Sequence, residues 1–218
     1  PNEMTDFNVL TLNARVFPGT TPLVCKKGDR VRIRIGNLSA MDHHPIHLHG
    51  HRFKLVATDG GPIPLSAQFS ETTVLVPVGS TRTVEFLSDA LGDWAMHCHM
   101  THHVMTQMGH GNPNMTGVDP KAIDAKTQPL LPGYMTMGQN GMGDMGTMGM
   151  PVPPNSLPMK GGTGPFGEIT MGGMFTILKV RETVEDYGKD PGWYVESPEN
   201  IASKASASDL SRDGIVVS

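Results

Sequence analysis

Aromatic residues make up only 6% of this 218-residue chain and cysteine occurs twice, so a ring-dominated core and a disulfide scaffold are both out of reach. The two cysteines could pair only with each other. Cys98 sits among histidines while Cys25 has no ligand-type neighbour, so Cys98 reads as a metal ligand and Cys25 as a small buried hydrophobe. No apolar run reaches the length of about eighteen residues that a membrane-spanning helix needs. The opening residues, Pro1-Asn2-Glu3-Met4-Thr5-Asp6, lack the basic start and apolar stretch of a signal peptide, so the chain reads as soluble and either unexported or already trimmed. Charge is nearly balanced, with 17 Lys+Arg against 21 Asp+Glu, and a net charge of -4 gives no footprint for nucleic acid or an anionic membrane surface.

What is plentiful is glycine (26), proline (18) and methionine (16), and nine of the methionines fall between Met135 and Met174. The ordinary globular part is therefore shorter than the length implies, and one domain is expected. Apolar residues recur at every second position from Phe7 to Val16 and from Val31 to Ile35, and the pattern returns in Phe53-Lys54-Leu55-Val56, Thr72 to Val76 and Thr81 to Phe86. Pro77-Val78-Gly79-Ser80 reads as a hairpin-like turn between the last two. Short strands at such intervals, punctuated by Gly and Pro, point to an all-β Greek-key sandwich. Gly109 to Gly167 reads as loop, with a low-complexity Met/Gly run from Met135 to Met150, before a last strand at Met174-Phe175-Thr176-Ile177-Leu178-Lys179-Val180. The expected layout is one domain over 7–182 with 109–167 as a loop insertion, then a polar tail over 183–218.

Two stretches carry the chemistry. His97-Cys98-His99-Met100-Thr101-His102-His103-Val104-Met105-Thr106-Gln107-Met108 gathers a thiol, four imidazoles and three thioethers, and Met41-Asp42-His43-His44-Pro45-Ile46-His47-Leu48-His49-Gly50-His51 precedes it. On a strand, Cys98 points to one face and His97 and His99 to the other. Likewise His47 and His49 share a face, and a break at Pro45 turns His44 to another. A thiolate, two imidazoles and a weak thioether suit a blue-copper centre, so His44, Cys98, His103 and Met108 are expected to hold one copper, with His47, His49, His97 and His99 holding further metal opposite. A structural zinc site would close four Cys/His ligands and leave Met108 without a use. His43, His51, His102 and His110 fit no ligand position and read as surface residues or as neighbours of the ligands.

These motifs, His44-x2-His47-x-His49 followed by His97-Cys98-His99-x3-His103-x4-Met108, resemble those of the C-terminal cupredoxin domain of multicopper oxidases (laccases and copper-resistance oxidases), as do Val74 to Ser80 and Val84-Glu85-Phe86. The likeness spans Phe7 to Met108. It implies type 1 copper on His44, Cys98, His103 and Met108, type 2 copper on His47, and type 3 copper on His49, His97 and His99. It further implies laccase-like chemistry, with a small reducing substrate or metal ion oxidised at type 1 copper and dioxygen reduced to water at a trinuclear cluster. In that family the cluster takes further His-x-His pairs, which an N-terminal cupredoxin domain or a partner subunit would have to supply. The resemblance also implies a periplasmic or extracellular setting. The alternative is a stand-alone cupredoxin that carries electrons or binds copper without oxygen chemistry. The Met/Gly run has two readings, a Cu(I)-presenting surface and a tolerated linker.

Overall fold

Valine and isoleucine alternate with arginine in Arg30-Val31-Arg32-Ile33-Arg34-Ile35, and the backbone there is a strand whose apolar side chains turn inward while the arginines turn out. The computed structural model describes residues 10–39, 42–100, 103–104, 121–127, 129–130, 161–169 and 171–216. Numbered in chain order, one sheet runs β1 (Leu23–Lys26), β12 (Phe175–Arg181), β9 (Gly92–Cys98), β3 (His44–Leu48) and β7 (Thr73–Val76). The facing sheet runs β2 (Arg30–Gly36), β8 (Thr81–Leu87), β4 (Phe53–Thr58) and β5 (Gly61–Pro62), with β6 (Ser70–Glu71) also on β4. β1 lies parallel to β12, and the other pairs are antiparallel. The chain is an all-β Greek-key sandwich, as its alternation and turn spacing predict, and it is cupredoxin-like, as the resemblance implies.

The core between the sheets is aliphatic, with Leu48, Val74, Val76, Leu178 and Val180 from the first facing Phe53, Val84 and Phe86 from the second. Each such side chain contributes about 1.5–3 kcal/mol of transfer free energy, which compensates for the scarcity of aromatic rings. Cys25 is buried in this core, and neither it nor Cys98 is in a disulfide.

Several local expectations change. Phe7 to Val9 lie outside the described residues, and Leu10 to Val16 form a tight turn in place of a strand. Leu12 and Arg15 exchange both backbone hydrogen bonds (3.0 and 3.1 Å) around Asn13 and Ala14, whose φ angles are 51° and 60°. The turn at Pro77 to Ser80 forms, with the Ser80 amide donating to the Pro77 carbonyl at 3.2 Å. It does not make a hairpin, because it carries the chain from one sheet to the other. Within the expected loop region lie a short helix α1 (Lys121–Thr127) and the start of a hairpin, β10 (Gly162–Gly164) with β11 (Gly167–Ile169). The Met135 to Met150 run is outside the described residues.

The segment after β12 has more structure than a polar tail would. Lys179, on the outer face of β12, is nearly fully buried because Asp190 accepts from its ammonium at 2.7 Å, the Gly192 carbonyl at 3.1 Å, and Trp193 stacks over it at 4.6 Å. Arg181 bonds Asp93 at 2.7 Å, and Asp93 in turn accepts from the Tyr194 amide. Trp193 thereby joins Phe17, Phe175, Ile177, Ile169 and Met171 in a second apolar cluster on the outer face of the first sheet. Further on, α2 (Ala207–Arg212) starts at a capping box between Ser206 and Asp209. Among the described residues, no helix is long and apolar enough to cross a membrane.

Candidate metal centre

Strand alternation sorts the histidines onto two faces. On β3 the burial pattern puts His44, Ile46 and Leu48 inward, and on β9 it puts Met96 and Cys98 inward. His47 and His97 are cross-strand neighbours on the opposite, outer face. The separation needs no break at Pro45: β3 runs through it, His44 pairs with Val76 and Pro45 with Leu75. Proline is tolerated in this central strand because its carbonyl is the group in use, accepting from the His99 amide at 2.7 Å. The odd spacing from His44 to His47 is enough to divide them.

On the inner face, the chain loops back after β9 so that His103 meets Cys98 and His44. The Cys98 Sγ lies 3.4 Å from His103 Nδ1 and 3.7 Å from His44 Nδ1, and the two Nδ1 atoms are 3.2 Å apart. Cys98 and His103 have no solvent exposure and His44 is buried. A triangle with sides near 3.4 Å has its centre about 2.0 Å from each corner, about the length of a metal–imidazole bond and slightly short of a metal–thiolate bond. Soft thiolate plus two imidazoles is a donor set for copper, so the residues present fit that metal. Met108, expected as the thioether ligand, lies outside the described residues, as do His102 and His110.

Burial pushes the Cys98 thiol up to about 11, partly offset by the Met100 amide directed at it. Without metal the thiol is protonated and inert. Burial also pushes His44 below its ordinary value, so its ring is neutral and has a lone pair to give at neutral pH. Asp42 places a carboxylate oxygen 3.9 Å from His103 Nε2, the side of that ring facing away from the trio. Asn37 fixes the loop carrying it, donating from Nδ2 to the Asp42 carbonyl at 2.7 Å and to the Val76 carbonyl at 3.0 Å.

The outer face brings His47, His49, His97 and His99 together: the His47 and His97 ring centroids lie 4.7 to 5.6 Å from each other and from those of His49 and His99. His97 donates from Nδ1 to the Cys98 carbonyl at 2.9 Å, which selects the tautomer with a free lone pair on Nε2, and that atom lies 3.2 Å from His49 Nε2. His47 Nδ1 shares a hydrogen with Thr73 Oγ1 at 2.7 Å. Phe175 stacks on His97 at 6.0 Å with 20° between the rings and is itself buried in the outer cluster. Burial lowers the pKa of His47 and His97, so both are neutral at pH 7. His97 is buried, but His49 and His99 are exposed, so this half of the face is open.

Sequence reasoning missed Asp42, Thr73 and Phe175, whose roles depend on strand register and loop placement. It also misplaced His51 if read as a surface residue. His51 is buried between Phe86 and Trp94, at 5.4 and 5.6 Å, because Gly50, with φ +70°, folds directly under the Trp94 ring. His43 is exposed, and its Nδ1 accepts from the Val78 amide at 3.0 Å.

The profile of the family described as "Multicopper oxidase" matches residues 1–114. Multicopper oxidase MmcO of Mycobacterium tuberculosis is 35% identical over 98 residues, which are 45% of this chain and 18% of that protein. Copper resistance protein A of Pseudomonas syringae pv. tomato is 41% identical over 88 residues, 40% of this chain and 14% of the relative. The match thus spans less than a fifth of either relative. A blue copper oxidase from Nitrosomonas europaea superposes over 79% of this chain and 35% of its own, at 22% identity and a TM-score of 0.45.

Proposed function

The chain belongs to the multicopper oxidase family, and on that premise we propose that it is the copper-carrying cupredoxin unit of an oxygen-reducing oxidase, completed by an N-terminal cupredoxin domain or a partner subunit. His44, Cys98 and His103, with Met108 as a thioether ligand, would hold type 1 copper; His47 would be the type 2 ligand and His49, His97 and His99 type 3 ligands. Copper at these positions would supply one-electron oxidation of a small reducing substrate or metal ion on one side and reduction of dioxygen to water on the other. The observation that carries the reading is the convergence of Cys98 Sγ, His44 Nδ1 and His103 Nδ1 within 3.2–3.7 Å, with His97 directly behind the thiol on the same strand.

The protein's own contribution is placement. Pairing of Ile46 with Cys98 and of His47 with His97 locks β3 to β9, so the two donor sets are held back to back across one sheet. The hydrogen bond from His97 to the Cys98 carbonyl ties the two sets through a single residue. Full burial of Cys98 and His103 keeps water from the inner set, while exposed His49 and His99 leave the outer set open to whatever supplies the missing imidazoles. The proposed setting is periplasmic or extracellular, as the resemblance implies.

The second reading is a stand-alone electron carrier, favoured by one observation: among the described residues, only the inner trio converges into a closed donor group. Copper content and visible and spin-resonance spectra separate the two. A single blue copper that never acquires a cluster with any added N-terminal cupredoxin domain supports the carrier. Acquisition of cluster signals and oxygen consumption on adding that domain supports the oxidase unit.

A further inference from the structure

The sheet opposite the histidines has an outer face of its own chemistry. Arg30, Arg32 and Arg34 stand in a row along β2, spaced about 6.6 Å apart as alternate strand residues must be. They line one side of a cleft of about 730 Å³. The opposite wall is apolar: Ile63, Pro64 and Leu65, with Val56 and Ala57 below, and Thr81 and Thr83 form the floor. Backbone and side-chain bonds build this wall, with the Ile63 amide donating to the Val56 carbonyl at 2.8 Å, the Ala67 amide to the Pro64 carbonyl at 2.8 Å, and Gln68 Nε2 to the Ile63 carbonyl at 2.9 Å. Leu65 is 86% exposed, an apolar side chain turned to solvent at the rim.

The arginines are organised, and they are in excess. Glu85, only 9% exposed, gives one carboxylate oxygen to Arg30 (2.6 and 3.0 Å) and the other to Arg32. That fixes two guanidinium planes, and the remaining N–H groups of these cleft-lining residues make no hydrogen bond among the described residues. Arg34 makes no hydrogen bond or ion pair among the described residues, so its whole fork is available. Three guanidiniums against one carboxylate leave the cleft at +2 on a chain of net charge -4. A guanidinium fork matches a carboxylate, an apolar wall matches a hydrocarbon body, and the volume is that of a small-molecule site.

We propose that this cleft binds a small amphipathic carboxylate, its anionic end on Arg34 and the free donors of Arg32, and its apolar or aromatic body against Ile63, Pro64 and Leu65. The site is on the other sheet from the copper ligands, so it stands independently of the oxidase reading. Titration of the full chain with 2-naphthoate, 2-naphthamide and inorganic phosphate, followed by calorimetry, tests it. Saturable binding of 2-naphthoate with a Kd of about 1 mM or tighter is expected, weakening as ionic strength rises, with the amide and phosphate each at least about tenfold weaker, or about 1.4 kcal/mol. Arg34→Gln should weaken 2-naphthoate by about tenfold, and Leu65→Ser should weaken it several-fold, with unchanged thermal midpoints because both side chains are exposed. Equal affinity for acid and amide, equal affinity for phosphate, an unaltered Kd in Arg34→Gln, or no saturation would each overturn the proposal. The wild-type comparison of acid with amide decides even if a variant folds poorly.

Discussion

Metal uptake by the inner trio should be coupled to one proton, and the structure sets the size of the coupling. The Cys98 thiol, held at about 11 by burial, must ionise before it can bind. At pH 7 about one molecule in ten thousand carries the thiolate, which costs about 5 kcal/mol of binding free energy relative to a free thiolate. Because burial lowers His44, that ring is already neutral and adds no proton of its own. The apparent affinity for Cu(I) should therefore rise about tenfold for each pH unit between about 6.5 and 8.5, with one proton released per ion. Competition with a chromogenic chelator of known pH dependence, under anaerobic conditions and alongside a pH-stat trace, measures both quantities. A slope near zero with no proton release would refute the reasoning, since it would mean that Cys98 is ionised before binding or is not a ligand. Cys98→Ser should remove the proton release together with the tight binding.

Other consequences follow from the same contacts. The metal-free protein should lose stability as pH rises above about 8.5, because the unfolded thiol ionises there while folded Cys98 resists until about 11; thermal midpoints against pH measure this, and bound copper should suppress it. Arg30 and Arg32 hold the Glu85 carboxyl below the usual range, so its contribution is full above the unfolded value of about 4.3 and is lost as pH falls. Glu85→Gln should cost about 1–2 kcal/mol at pH 7 and flatten the acid limb of the denaturation profile. Gly50→Ala would place a Cβ 2.2 Å from the Trp94 ring at a φ of +70°, so a loss of about 2 kcal/mol or more is expected in chemical denaturation. Phe175→Ala should cost about 3–5 kcal/mol and release the His97 ring, seen as broadening of its imidazole resonances.

Much of the site was legible in the sequence because a strand's two-residue period converts spacing into sidedness. Cys98 between His97 and His99, and His44 three residues before His47, had to divide between faces, and they do. What stayed hidden depends on which strands become neighbours. Thr73 meets His47, and Phe175 meets His97, through the order β12-β9-β3-β7, which local pattern does not encode. Pro45 looked like a break because proline lacks a donor, yet only its carbonyl is needed where it sits. Turn chemistry misled in the opposite sense at Asn13-Ala14, where two positive φ angles reverse the chain inside an alternating apolar pattern. Lys179 and Arg181 look like solvent-facing strand positions. They are covered because Asp190, Gly192 and the Tyr194 ring return across β12 and supply their partners, a long-range closure invisible to periodicity.

The most direct test is the copper content and spectrum of the chain loaded with Cu(II) after chelator washing. One retained copper per chain is expected, with an intense thiolate-to-copper visible band lost in Cys98→Ser and kept in His49→Ala, and with any copper on the open outer histidines removed by the wash. Retained copper without that band, or a band that survives Cys98→Ser, would contradict the assignment of Cys98, His44 and His103 as a single metal centre.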